Sequence, residues 1–344
     1  MRFKPSHFAA LVSAAAFILA ALFVASPRVL QAQEQIENEI TATARLFPDI
    51  GAGIRAIKRD ARGRYYFLST VDHSVRVYSA DNTFAGQIPR SDSGPAVIEY
   101  GYDMDVDAAG NIYVADRAAN KVKIYTPDGK LSLAIPVAAP TSVAAIGGNI
   151  AVASLKSRDL ITIYNPQGKY VREFGDISDL AEHEDFNRFL NIGRLATDPA
   201  NHVYYAFTYS PEPTVRKYDV YGYSAYQISL HTLDIYPNAQ AQRRNIARID
   251  LQISPQAIPA VINAIGVDPQ SQEVWLALGD VLMKFDKNGD RIDRYRTLTT
   301  DGTDLQPTAI LIEPNRILLA DDPHGIFAFA RPDHPAAPAA KAKE

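Results

Sequence analysis

Between Asp107 and Tyr125 the chain reads Asp-Ala-Ala-Gly-Asn-Ile-Tyr-Val-Ala-Asp-Arg-Ala-Ala-Asn-Lys-Val-Lys-Ile-Tyr, and weaker copies of this pattern recur along almost the whole chain after Gln33. A short recurring pattern restricts a chain to architectures that stack one small unit many times. Each copy joins a turn at Asp-x-x-Gly, a short apolar strand, a polar turn and a second strand ending in an aromatic residue, which describes part of a small antiparallel sheet. The aromatic ends Tyr78, Tyr125, Tyr164, Tyr218, Phe285 and Phe329 mark six copies. After the first five comes a polar turn whose last residue is Asn82, Gly129, Gly168, Gly222 or Gly289. Asn and Gly suit a backbone that must reach positive φ. Each unit is therefore four strands joined by hairpins.

Strands such as Asn111-Ile112-Tyr113-Val114-Ala115 and Glu273-Val274-Trp275-Leu276-Ala277 carry apolar residues on both faces, so one such sheet cannot stand alone in water. Radial repetition buries both faces and leaves only short edges, which predicts an all-β, six-bladed β-propeller. The sixth unit stops at Phe329 and runs into Arg331-Pro332-Asp333, so it lacks its outermost strand. The strand-like segment Glu39 to Leu46 has no other unit to join and is expected to close the ring on the last blade.

The run Asp-x-x-Gly-Asn-Ile-Tyr-Val-Ala-Asp-x-x-x-Asn-Lys-Val resembles the NHL repeat, a blade type of six-bladed propellers. The resemblance is closest in the second blade and weaker in the first (Asp60-Ala61-Arg62-Gly63, then Asp72-His73-Ser74-Val75-Arg76-Val77-Tyr78). In the other four, Gly-Asn and Ala-Asp are mostly missing. It implies a blade type over roughly residues 40 to 330 and no single function, since NHL-like propellers include binding scaffolds, lyases and hydrolases.

The ends of the chain read differently from the repeats. Arg2 and Lys4 precede an apolar run from Phe8 to Ala25, followed by Ser26-Pro27 and Leu30-Gln31-Ala32, the pattern of a secretory signal cleaved after Ala32. The alternative is an uncleaved anchor, because the apolar run approaches the roughly 20 residues of a membrane span. Residues 1–32 are thus read as a signal segment, 39–331 as the propeller and 332–344, rich in Pro, Ala and Lys, as a disordered tail. An extracytoplasmic protein, periplasmic or secreted, is expected, with membrane contact only if the first segment is retained.

Removing residues 1–32 takes away Arg2, Lys4 and Arg28 and leaves 32 basic against 39 acidic residues, a formal charge of about −7. Phosphate-backbone binding needs a basic surface, so nucleic acid is not an expected partner. With no cysteine there is no disulfide, thiolate metal site or cysteine nucleophile.

Two segments break the blade spacing: Ser178 to Arg188, which is acidic, and His231 to Ala260, which carries Arg243, Arg244 and Arg248. Interblade loops leave a propeller on the same face as the middle hairpin turns, so both insertions are expected to overhang one mouth of the central channel. Near the axis small residues are the rule, yet the inner strands carry Lys58, Asp103, Asp105 and Arg194. Their period-2 placement puts them together, either as internal ion pairs around trapped water or as a polar pocket for a ligand or cation. Middle turns add Arg117, Tyr209 and His324 as candidate partner contacts, whereas Asp116 and Asn120 read as turn-forming.

Catalytic motifs are scarce: there is no His-Glu-x-x-His, Gly-x-Ser-x-Gly or Gly-Lys-Ser/Thr. Calcium-dependent lactonases of the gluconolactonase type are six-bladed propellers whose axial metal is held by Glu, Asn and Asp oxygens. That likeness points to Glu99, Asp103, Asn191 and Asn263 as a possible set for Ca2+. His73, His202 and His324, which a zinc lyase would need to converge, do not share one repeat position. The expectation is a monomeric binding or scaffold module, without a cofactor, for a protein, peptide or glycan at the insertion-bearing face. A metal-dependent hydrolase or lyase at the axial mouth is the alternative.

Overall fold

The computed structural model describes residues 38–90, 93–230, 236–252 and 257–332. All lie in one compact unit that begins at Glu37. The readings of a signal segment and of a tail beyond Pro332 fall outside the described residues.

Six antiparallel sheets follow one another along the chain. Their inner strands are Ile54–Arg59, Gly101–Val106, Pro140–Ile146, Gly193–Thr197, Ala264–Val267 and Pro307–Ile312. Within each blade the strands run outward in sequence order, and inner strands of successive blades contact one another, including the last with the first. The six aromatic residues that mark the copies all sit at or next to the end of a third strand. Turn chemistry shows why the register holds: Asn82 has φ 67° and Gly289 has φ 91°, a region most side chains avoid. A Cβ at Gly222 would also come within 2.7 Å of the Phe174 ring, so close packing excludes larger residues there.

Burial of both sheet faces follows from the wedge arrangement. Tyr66, Leu68 and Val75 of blade 1 share one cluster with Met104, Val114 and Tyr125 of blade 2, all fully excluded from solvent. Trp275 of blade 5 stacks on Tyr295 at 5.9 Å and packs against Ile317 and Phe329 of blade 6. Truncating a fully buried aromatic of this kind costs about 3–5 kcal/mol.

The ring closes through the N-terminal segment, with a refinement on the sequence reading. Ala44–Leu46 pairs antiparallel with Gly325–Ala330 and supplies the missing outer strand of blade 6. Asn38–Thr41 instead lies parallel along the outermost strand of blade 5, which makes that blade five-stranded. That outer strand, Arg291–Leu298, is eight residues long where those of blades 1 to 4 have five or six, and so offers a longer edge to pair. The chain crosses between blades at Ala42 and Thr43, whose amides donate to Leu298 O at 2.8 Å and Ala328 O at 2.7 Å.

Both insertions contain a helix, which the strand reading did not foresee. In the first, α1 (Glu184–Leu190) has Glu184 and Asp185 in its first turn and Arg188 in its last, the charge order a helix dipole favours. In the second, α2 (Tyr236–Gln252) buries Ala239, Gln242, Ile246 and Ile249, spaced three and four residues apart along one face. Ile246 and Ile249 join Leu190, Ile258, Phe186 and Phe189 in a separate small core. Asp250 locks the two insertions together, accepting from the Glu182 amide at 2.7 Å and lying 2.7 Å from His183 Nδ1.

The turn that follows each inner strand faces the other end of the ring, and in five blades it begins with a carboxylate: Asp60, Asp107, Asp198, Asp268 or Glu313. Three of these repeat one network. Asp60, Asp107 and Asp198 each meet the side chain four residues on (Arg64, Asn111, His202) and accept from the tyrosine hydroxyl six residues on (Tyr66, Tyr113, Tyr204) at 3.0 Å. Glu313 accepts instead from the Tyr65 hydroxyl of blade 1 at 2.7 Å and pairs with Arg59 at 2.8 Å, tying the last blade to the first.

Candidate functional site

The charged inner-strand residues come together, as their period predicts. Lys58 Nζ lies 2.9 Å from Asp105 Oδ1, while Asp105 Oδ2 accepts from the Ala145 amide at 2.8 Å. Asp103 accepts from the Met104 amide at 2.9 Å and from the Ser142 hydroxyl, whose oxygen in turn accepts from the Leu195 amide at 2.9 Å. One carboxylate thereby joins blades 2, 3 and 4. Burial pulls the Lys58 ammonium towards neutrality, but Asp105 and Asp103 outweigh it and its pKa is raised. For Asp103 burial prevails over the attraction of Arg194 and Lys58 and the Ser142 hydrogen bond, so its carboxyl titrates above the usual range. The cavity bounded by Lys58, Asp103, Arg194 and apolar side chains of blades 5 and 6 measures about 20 Å3, room for roughly one water molecule. At this depth the axis is an ion-paired plug rather than a ligand chamber.

Above the plug, towards the insertions, the composition changes. Arg55 of blade 1 and Tyr102 of blade 2 occupy register shifts at the start of their inner strands, between Ile54 and Ala56 and between Gly101 and Asp103. An extra residue in a strand breaks the strict alternation of side chains and re-aims its own. The Arg55 guanidinium lies 4.6 Å from the centre of the Tyr102 ring and that of Arg117 lies 5.0 Å from it. Arg194 donates to the Arg55 carbonyl at 2.8 Å. Tyr209, from the middle turn of blade 4, hydrogen-bonds Tyr102 and stacks on Phe189 of α1 at 4.7 Å. Burial first, then the neighbouring Tyr102 phenol, pushes the Tyr209 hydroxyl up to about 12. Burial first, then the like charge of Arg55, brings Arg194 down to about 10.

The mouth is thus a ring of Arg55, Arg117 and Arg194 around two phenols, with α1 at its rim. Among the described residues no carboxylate lies within ion-pairing distance of any of the three guanidinium groups. Their two hydrogen bonds within the protein go to backbone carbonyls, those of Tyr102 at 3.5 Å and Arg55 at 2.8 Å.

The remaining candidates separate. His324 is exposed in the middle turn of blade 6, with Nδ1 held on Asp321 at 2.5 Å. Asp116 is fully buried, accepts from the amides of Glu99 and Tyr100 and pairs with Lys123 at 2.8 Å. Asn120 accepts from the Ala139 amide at 2.8 Å, as its turn role predicts. Of the set considered for Ca2+, Asn191 uses its side chain on both the amide and the carbonyl of Ser178 and on Asn187 O, pinning the first insertion. Glu99 is exposed in the linker into blade 2 and Asn263 is partly buried beside blade 5. Among the described residues no three His, Asp or Glu side chains converge in a way that could hold a metal ion.

Counting alternate positions back from each turn found Lys58, Asp103, Asp105 and Arg194 but missed Arg55, Tyr102 and Phe189. The available signal was an Arg and a Tyr at inner-strand starts, beside small residues.

Fold and site together define the class: a six-bladed β-propeller with a cationic mouth under two helical insertions. No family model matches the chain, and neither does any curated protein sequence. Among solved structures it is similar to a streptogramin B lyase, at 12% identity with a TM-score of 0.53 over 83% of this chain and 85% of that one. A virginiamycin B lyase from Staphylococcus aureus gives 12% identity and 0.53 over 84% and 98%. The WD40 repeats of RRP9 give 10% identity and 0.55 over 86% and 99%. At such identities the likeness is one of fold, shared by a lyase and a repeat scaffold alike.

Proposed function

We propose that this chain is an exported binding propeller with NHL-like blades, monomeric, which holds a protein, peptide or glycan partner on its insertion-bearing face. One observation carries this reading. Among the described residues the guanidinium groups of that mouth have no carboxylate partners, whereas the turn carboxylates of the opposite face are engaged within the protein. Side chains with unused donors in a concave, aromatic-framed mouth are what a binding surface requires. The helical insertions support it, because they share a small core that takes in Phe189 and Tyr209 of the mouth. Loops positioned by a rigid scaffold are the usual place for binding residues.

The lyase reading draws on the similarity to two lyases. The virginiamycin B lyase is also known, with quinupristin, in a catalytically inactive form in which one histidine is replaced by alanine. In this chain His183, His202 and His324 each sit on a different aspartate, in the first insertion, the first turn of blade 4 and the middle turn of blade 6. The binding reading is therefore the better supported.

The test is a peptide and glycan array probed with the protein from Gln33 onward. Charge reversals should separate the faces: Arg117→Glu at the mouth is expected to abolish binding, and Lys130→Glu in an outer turn of the opposite face to leave it unchanged. Binding lost equally in both, or in neither, would count against the reading. Export is checked separately by the N-terminal residue of the mature protein recovered outside the cytoplasm.

A further inference from the structure

We infer that the mouth is an oxyanion site, in which Arg55, Arg117 and Arg194 receive the carboxylate or phosphate group of a small ligand. This deepens the reading of the insertion-bearing face as the binding face and rests on it.

The charge balance is the first argument. Four cations, Lys58 and the three arginines, meet two carboxylates, Asp103 and Asp105, and one of those is taken by Lys58. Asp103 acts on Arg194 only through space and spends its own oxygens on Ser142 and the Met104 amide. The ring of inner-strand charges and Arg117 is thus left with more cations than carboxylates, while Glu184 and Asp185 of the α1 rim pair with Arg188 and Lys156, on a chain whose formal charge is −4. A cleft of one sign with protein walls focuses its field and raises the local concentration of ions of the other sign.

Donor geometry is the second argument. A guanidinium presents five N–H donors in a planar fork that matches carboxylate and phosphate oxygens. Among the described residues the three forks have between them only two protein acceptors, both backbone carbonyls. None of their nitrogens is among the buried side-chain atoms without a partner, so the unused donors face open space rather than the protein interior. Stacking on Tyr102 fixes two of the forks, which lowers the rotamer entropy lost when an anion binds.

Size is the third. The cavity lined by Arg55, Arg194, Lys58 and Asp103 has room for roughly one water, so an anionic group is met at its opening and the ligand body stays at the rim beside Tyr209 and Phe189. A ligand passing through the ring is excluded.

The experiment is calorimetric titration of the protein from Gln33 onward, at constant ionic strength, with inorganic phosphate and with citrate as probes. Saturable binding with a dissociation constant of about 10 mM or tighter is expected for at least one of them. Phosphate alone identifies a phosphorylated ligand class, and citrate alone a carboxylate class. Arg117→Gln and Arg55→Gln should each weaken the probe roughly tenfold, in line with loss of one charge-assisted hydrogen-bond donor. Asp103→Asn should tighten it several-fold by removing the nearest negative charge. A variant that melts early is replaced by its lysine counterpart, which keeps the charge and should retain part of the affinity. Absence of saturable binding by both probes overturns the inference, as does saturable binding that neither Arg variant nor Asp103→Asn alters. If the probes fail while the array partner still needs Arg117, the oxyanion inference falls and the binding-face reading stands. If the probes bind and the array stays blank, the mouth still binds oxyanions and it is the protein, peptide or glycan partner that falls.

Discussion

The carboxylates of the turn face and the arginines of the mouth at the opposite face are held in opposite ways. At the turn face Asp198 is wholly buried, yet it accepts from two backbone amides at 3.0 Å and from the Tyr204 hydroxyl at 3.0 Å, with His202 Nδ1 at 2.7 Å. At the insertion face Arg117 makes no hydrogen bond or ion pair through its side chain among the described residues and rests only against the Tyr102 ring. Charge at the first face closes turns and joins blades. At the second, Asp116 and Lys123 also pair, but the guanidinium groups of Arg55 and Arg117 are held in place by packing and left available. A buried carboxylate must be satisfied for the fold to tolerate it, whereas a cation at a wet rim faces no such demand.

The largest expected effect concerns both faces together. Deleting residues 38–46 removes one strand from each of blades 5 and 6 and should lower the melting temperature by about 10 °C or more, with any probe binding lost in parallel. A small effect would mean that the ring does not depend on its closure. Next comes Asp198→Ala, which strands several buried donors and should cost about 3–5 kcal/mol by denaturant unfolding, without altering affinity at the mouth. The mirror experiment is Arg55→Gln with Arg117→Gln, for which stability should stay within about 0.5 kcal/mol of the parent, the range of surface changes. A loss as large as that of Asp198→Ala would erase the contrast between the faces.

The smallest effect is on pH dependence, and its sign differs between the two regions. Hydrogen bonds from the Arg64 amide and guanidinium and from Tyr66 overcome burial and depress Asp60, and the Gln270 amide with Arg331 does the same for Asp268. A depressed carboxyl contributes stability that is present above its unfolded value of about 3.9 and is lost as pH falls through the folded value. Asp103 is raised, so its contribution declines as pH climbs from about 3.9 towards its folded value. Denaturant melts between pH 2 and 6 should therefore show a stability gain on neutralising Asp103 at the upper end and a loss on neutralising Asp60 there. The same sign for both would break the comparison.

How much of this was legible depends on how local the physics is. Hairpin turns need particular residues, and each third strand ends in a large aromatic, so six blades could be read from Asn82, Gly129 and Tyr125 and their equivalents. The closing segment was legible because blade 6 lacks a strand. Its division at Ala42 and Thr43 was not, since the length of the blade 5 edge matters only once the blades are adjacent. The helical insertions escaped a strand-based reading although Ala239, Gln242, Ile246 and Ile249 keep helical spacing. Lys58, Asp103, Asp105 and Arg194 stood out as charges where small residues belong. Arg55 and Tyr102 did not, because register shifts displace them from the period-2 count, and a shift is visible only against its paired strand.

The division between a structural face and a binding mouth is tested most directly by measuring two quantities on two matched variants, the melting temperature and the dissociation constant for the bound oxyanion probe. Asp198→Ala is expected to melt several degrees lower with unchanged affinity, and Arg117→Gln to melt with the parent while binding roughly tenfold more weakly. An Arg117→Gln protein that loses as much thermal stability as Asp198→Ala and keeps its affinity would contradict the account.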